Sequence, residues 1–150
     1  MKNILLSLVA LLLFVSTSSF AAESGTREDA TALLYRAIAL LNIDKNRALI
    51  QFTSGDGGMI QGDLYVFCFV SEGTLTAHPA VIGINIFNQN VKDENGNPLG
   101  HTMVSNARYG IISEVVYKLR KYDTNSEQEY IKTTLYTRVS DQICGVGYYN

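Results

Sequence analysis

Two cysteines, two prolines and two histidines are all that a chain of 150 residues holds of these types, and each scarcity removes a class of protein. With no C-x-x-C and no Cys-His spacing, the two cysteines argue against a disulfide scaffold, a zinc site and a thioredoxin-like motif. Two prolines, no low-complexity tract and no internal repeat leave no linker and no second domain. Basic residues are neither in excess nor clustered. Twelve Lys and Arg are interspersed with fourteen Asp and Glu, which argues against nucleic acid and anionic membrane surfaces as partners.

The same scarcity argues against catalysis. A nucleophile needs a His and an orienting acid beside it, and Cys144 lies in an apolar, glycine-flanked stretch where burial makes a thiol inert. His101 falls in the irregular, partly helical insert before the last three strands. No nucleophile elbow, H-E-x-x-H, phosphate loop or cofactor-binding motif occurs.

What is present begins with an export signal. Lys2, the short apolar run "ILLSLVALLLFV" and the small-x-small site Ser19-Phe20-Ala21 form the pattern of a secretory signal peptide cut after Ala21. The apolar run falls short of the ~20 residues that span a bilayer, and no later segment is long or apolar enough to do so. The expectation is an exported, periplasmic or secreted chain of one domain, residues 22–150. In that oxidising compartment Cys68 and Cys144 either pair or stay as small buried hydrophobes.

Along that domain, Thr26 and Asp29 resemble a capping box. Leu33, Leu34, Ala37, Ile38 and Leu41 then recur at helical spacing over about five turns. Asp44 reads as the N-cap of a shorter helix, "KNRALIQF", which "TSGDGG" breaks. "DLYVFCFVS" is apolar on both faces and predicts a central strand covered on each side. "SEGT" turns the chain into a short strand "LTAH", which Pro79 ends. "DENGN" lacks the glycine and glutamate of a calcium loop at their positions and reads as a tight turn. "LGHTMVSNARYG" predicts a short helix, and "IISEVVYKLRKY", "EYIKTTLYTRV" and "ICGVGYY" predict a three-strand meander. The order gives an α+β domain with one antiparallel sheet.

At "YVFCFV", Gly73, "AHP", "GIN" at residues 83–85, "DENGN", Gly110, Lys132 and the closing "DQICGVGYYN", the sequence resembles the single Cache domain family of extracytoplasmic, PAS-like sensors. The resemblance spans nearly the whole chain after residue 21. It implies a five-stranded antiparallel sheet of PAS-like order, with a long N-terminal helix on one face and a small-molecule pocket on the other. It also implies small carboxylates and related metabolites as ligands. Such domains often feed a signalling module within one chain, whereas here Asn150 follows directly on the last strand; the expectation is that occupancy passes to a separate membrane receptor or sensor kinase. The family's sheet order makes the strands of Cys68 and Cys144 neighbours, so a cross-strand disulfide is conceivable if the two lie opposite each other.

A desolvated carboxylate needs donors in place of water. The resemblance places His78 at the pocket edge, with Lys132 supplying charge, Tyr117 a hydroxyl, and Tyr65 and Phe67 an apolar wall. Each has a plain alternative: His78 as a turn residue with its ring in solvent, Lys132 on a solvated outer face, the three aromatic residues as core. A shell of this kind that has lost its ligand and acts through its surface, or as a dimer through the long helix, is the second functional expectation.

Overall fold

The computed structural model describes residues 24–121 and 125–150. The expected signal peptide and Tyr122, the expected last residue of the first meander strand, lie outside them. Helix α1 (Arg27–Ile43) starts at the expected capping box: the Thr26 hydroxyl accepts from Asp29 N and the Asp29 carboxylate accepts from Thr26 N. Asp44 closes α1 and accepts from Arg47 N, so one residue ends α1 and caps α2 (Lys45–Ser54). Gly55, at φ +81°, ends α2 in the left-handed conformation that glycine adopts without strain.

Six strands follow among the described residues: β1 (Ile60–Gln61), β2 (Leu64–Val70), β3 (Leu75–Ala77), β4 (Ser113–Arg120), β5 (Glu129–Val139) and β6 (Gln142–Tyr149). All strand pairs are antiparallel, in the order β1-β2-β6-β5-β4, with β3 also paired to β2. The five strands read from the sequence are present. The sixth, β1, escapes sequence periodicity because two residues are too few to show any.

The two apolar faces of β2 are covered by different parts of the chain. Leu64, Val66 and Cys68 join Leu135, Val139, Cys144 and Val146 under α1 and α2. Phe67 and Phe69 face the other way with Val115, Tyr117, Tyr136 and Ile143. That face is covered by the segment between β3 and β4, through a short 3-10 turn (Ile86–Asn88) and α3 (Leu99–Asn106). The helix expected to run as far as Gly110 stops at Asn106, and Arg108 pairs with Ile111 around Gly110 instead.

The "DENGN" turn fastens this cover. The Asp93 carboxylate accepts from Asn95 N at 2.9 Å, Asn97 N at 2.8 Å and the Thr102 hydroxyl at 2.9 Å. Burial alone would raise its pKa, but these donors together hold it below the usual carboxylate value. The carboxylate is thus committed to joining the turn to α3. Asp93→Ala should lower Tm by roughly 3 °C or more and speed amide exchange at Asn95 and Asn97; unchanged exchange at both would show that the turn holds without it.

Candidate functional site

The sheet register assembles the expected residues on the face under α3. Tyr117, Lys132 and Tyr149 stand level across β4, β5 and β6, and Val115, Thr134 and Gly147 form the next row. Two glycines two residues apart in β6 open a gap on this face. A Cβ on Gly147 would lie 2.4 Å from Lys132 Cε and 2.5 Å from Thr134 Oγ1, and one on Gly145 3.1 Å from the Phe67 ring. Lys132 therefore lies down across β6 in space that any side chain at 147 would fill.

Its ammonium reaches Tyr65, where Nζ donates to the hydroxyl at 3.0 Å and sits 4.3 Å from the ring centroid. It also lies 4.6 Å from the Tyr149 centroid. Lys132 is 1 % exposed, so the solvated-face reading of β5 is overturned: an alternation that looks polar in sequence faces inward because Gly147 makes room for a long stem. Burying an ammonium is unfavourable unless it is compensated; a phenolic acceptor and two aromatic faces are among the groups that do so here.

His78 follows β3 and packs its ring edge-on against Tyr65, with centroids 5.0 Å apart. Its Nδ1 accepts from Ala80 N at 3.0 Å and Val81 N at 3.2 Å. The ring is therefore half-buried against Tyr65 while fastening its own turn, not held in open solvent. Because Nδ1 accepts, the proton of the neutral ring sits on Nε2, which makes that nitrogen a donor. Burial, and then the charge of Lys132, push its pKa down to about 4.

This shift has a sign that can be tested. The ordinary value of 6.5 lies above the folded value of about 4, so the folded chain binds fewer protons between them. The stability from neutral His78 is complete above about pH 6.5 and is lost as pH falls toward about 4. Protonation would also break both bonds to Nδ1. The shift sets a ceiling of about 3 kcal/mol, discounted to about 1–2 kcal/mol because the ring partly faces solvent. Urea midpoints from pH 7 to 4 should fall further for the native chain than for His78→Asn; parallel curves would contradict this.

Tyr117 and Phe67 line a cavity of about 90 Å³ on the same sheet face, with Ile86, Val91, Leu99 and Met103. The Tyr117 hydroxyl shares a 2.9 Å hydrogen bond with Thr134 Oγ1, and burial raises its pKa to about 12 against the opposing effect of that bond. The structure thus sets Lys132 and His78 each against Tyr65 and places Phe67 and Tyr117 beside a small apolar cavity on the same face. A larger groove of about 510 Å³ lies outside β4, where of the five expected residues it meets Tyr117 alone.

Tyr149, Thr134, Gly145 and Gly147 were not singled out from sequence. The signal was there in "GVGYY": glycines two apart in a strand clear two places on one face. Cys68 and Cys144 lie directly opposite in the register of β2 and β6, on the face under α1, and are joined as a disulfide with Cα atoms 4.1 Å apart.

No family model and no curated protein sequence matches the chain. Solved structures do. The fold is similar to that of a methyl-accepting chemotaxis protein from Vibrio parahaemolyticus, at TM-score 0.60 and 19% identity over 81% of this chain and 86% of that one. It is similar to the periplasmic sensor domain of a chemotaxis protein, at TM-score 0.56 and 20% identity over 81% and 88%. A Cache chemosensory domain solved for its recognition of carboxylic acids is similar at TM-score 0.55 and 19% identity over 81% and 86%. The chain has the PAS-like fold of the Cache sensor domains.

Proposed function

We propose that the protein is an exported sensor that binds a small carboxylate between its sheet and α3, and passes its occupancy to a separate membrane receptor or sensor kinase. One observation carries the reading: a buried lysine ammonium stands among aromatic rings, on the sheet face that also holds a small apolar cavity lined by Phe67 and Tyr117. A carboxylate brought to Lys132 Nζ makes a charge-assisted hydrogen bond in a site of low dielectric, where such bonds are strong. The neutral His78 ring adds direction through Nε2–H, and the Tyr65 hydroxyl fixes the ammonium. A cavity of about 90 Å³ suits a tail of a few carbon atoms. Carboxylic acid recognition by a domain of the same fold supports the ligand class. The signal pattern before Ala22 supports cleavage after Ala21 and a periplasmic location, and the mass of the N-terminus from the native host checks it.

A second reading has its own observation. No charged residue occurs from Gly73 to Val91, and Val81, Ile82 and Ile84 are exposed on that stretch. Charge-depleted surface with exposed aliphatic groups marks protein contacts, so the chain would act as an interaction protein, through this surface or as a dimer. A thermal-shift panel of mono- and dicarboxylates, keto acids and amino acids separates the two. A true ligand at one hundred times its Kd stabilises the fold by about 2.7 kcal/mol, or roughly 5 to 15 °C. No shift across the panel would favour the surface reading.

A further inference from the structure

We propose that the charge state at Lys132 is communicated to the start of α1 through Tyr149, Lys121 and Asp63. As a response to ligand, the proposal rests on Lys132 being the ligand's cation. Two ammonium groups share the Tyr149 ring: Lys132 Nζ lies 4.6 Å and Lys121 Nζ 4.9 Å from its centroid. The ring is held in place, because the Tyr149 hydroxyl donates to the Arg120 carbonyl at 3.1 Å, one residue before Lys121. Tyr130 stands edge-on to Tyr149 and 5.6 Å from Lys121 Nζ.

Lys121 in turn meets a buried carboxylate. Its Nζ donates to Asp63 Oδ2 at 3.2 Å, and Asp63 Oδ1 accepts from Gly25 N at 2.8 Å. Asp63 is 8 % exposed and sits between β1 and β2. One carboxylate therefore ties the residues that lead into α1 to the end of β4.

The coupling follows from sharing. Two like charges over one ring repel, and each weakens the other's attraction to it. A carboxylate that neutralises Lys132 removes the repulsion and leaves Tyr149 to Lys121. Lys121 then divides its charge differently between the ring and Asp63, and Asp63 responds in its bond to Gly25. In a poorly solvated cluster such changes are weakly screened. The site would thus report on itself at the N-terminal end of α1, on the far side of the sheet from α3.

Lys132→Met and Lys132→Gln imitate the neutralised site without a ligand. The measurement is amide exchange at Gly25 and Thr26 by NMR in the purified chain. Exchange at Gly25 should change by about two- to thirtyfold and in the same direction in both variants. The change should vanish when either is combined with Tyr149→Leu or Asp63→Asn. Unchanged exchange in both single variants, or the same change with Tyr149→Leu in place, would overturn the route. Since no ligand enters the experiment, its failure would leave carboxylate binding standing, and a failed ligand screen would leave the route standing.

Discussion

Replacing Cys68 and Cys144 together by alanine is expected to lower stability by about 2–4 kcal/mol, a loss on the order of 10 °C in Tm. The two lie opposite each other on adjacent central strands, at a sequence separation of 76. Closing a loop of that length removes many conformations from the unfolded chain, and the loop-entropy relation puts the effect near 4 kcal/mol at its upper end. Both residues are fully buried among Leu33, Leu34 and Val146 on the face under α1. Alanine therefore also leaves a small void, while serine would add an unpaired hydroxyl and confuse the two effects. Urea denaturation of the double variant, alongside thiol titration of the unfolded, unreduced native chain, checks this. Two titrating thiols, or an unchanged midpoint, would remove the bridge as a stabilising element. Affinity for any carboxylate that the panel identifies should survive the change, because the bridge lies on the face away from Lys132.

Lys132→Met is expected to separate stability from binding. Losing one partner of a desolvated, charged hydrogen bond costs about 2–5 kcal/mol, so affinity for the carboxylate found by the panel should fall at least about tenfold. Methionine keeps much of the stem's bulk over Gly147 and removes a buried charge, so the fold should hold or gain slightly. Gly147→Ala attacks the same contact from the other side. Its Cβ would meet Lys132 Cε at 2.4 Å, lifting the ammonium away from Tyr65 with the charge still present. His78→Ala should weaken binding less, since a neutral ring contributes a single uncharged donor. Calorimetric titration of the three variants at pH 7, after circular dichroism shows that each folds, makes the comparison. Unchanged affinity in all three would move the site off this face, toward the groove outside β4.

Local chemistry was legible wherever a pattern repeats over a few residues. The Thr26–Asp29 box, the stripe from Leu33 to Leu41, Asp44 as a cap and the two apolar faces of β2 each depend on neighbours within a turn or a pleat. Such patterns yield the helices, five of the six strands among the described residues and the α+β class. Its resemblance to the Cache family supplied what periodicity does not contain, the sheet order that brings Cys68 beside Cys144. The limits were local too: β1 is too short for a period, and α3 ends before its glycine because residues 108–111 pair with each other.

The environment of Lys132 was decided by tertiary structure alone. Tyr130, Lys132, Thr134, Tyr136 and Arg138 alternate as a half-polar face would, and nothing within β5 says whether water or protein lies over it. That depends on two distant facts: the segment between β3 and β4 folds back over this face, and β6 presents Gly147 where Lys132 must pass. The same holds for His78, whose pKa falls because the ring is drawn against Tyr65 and near Lys132, more than fifty residues further along the chain. Side-chain alternation tells which residues share a face, since that follows from the pleat. What covers the face, and so whether a charge on it is solvated or held, follows only from contacts between parts of the chain far apart in sequence.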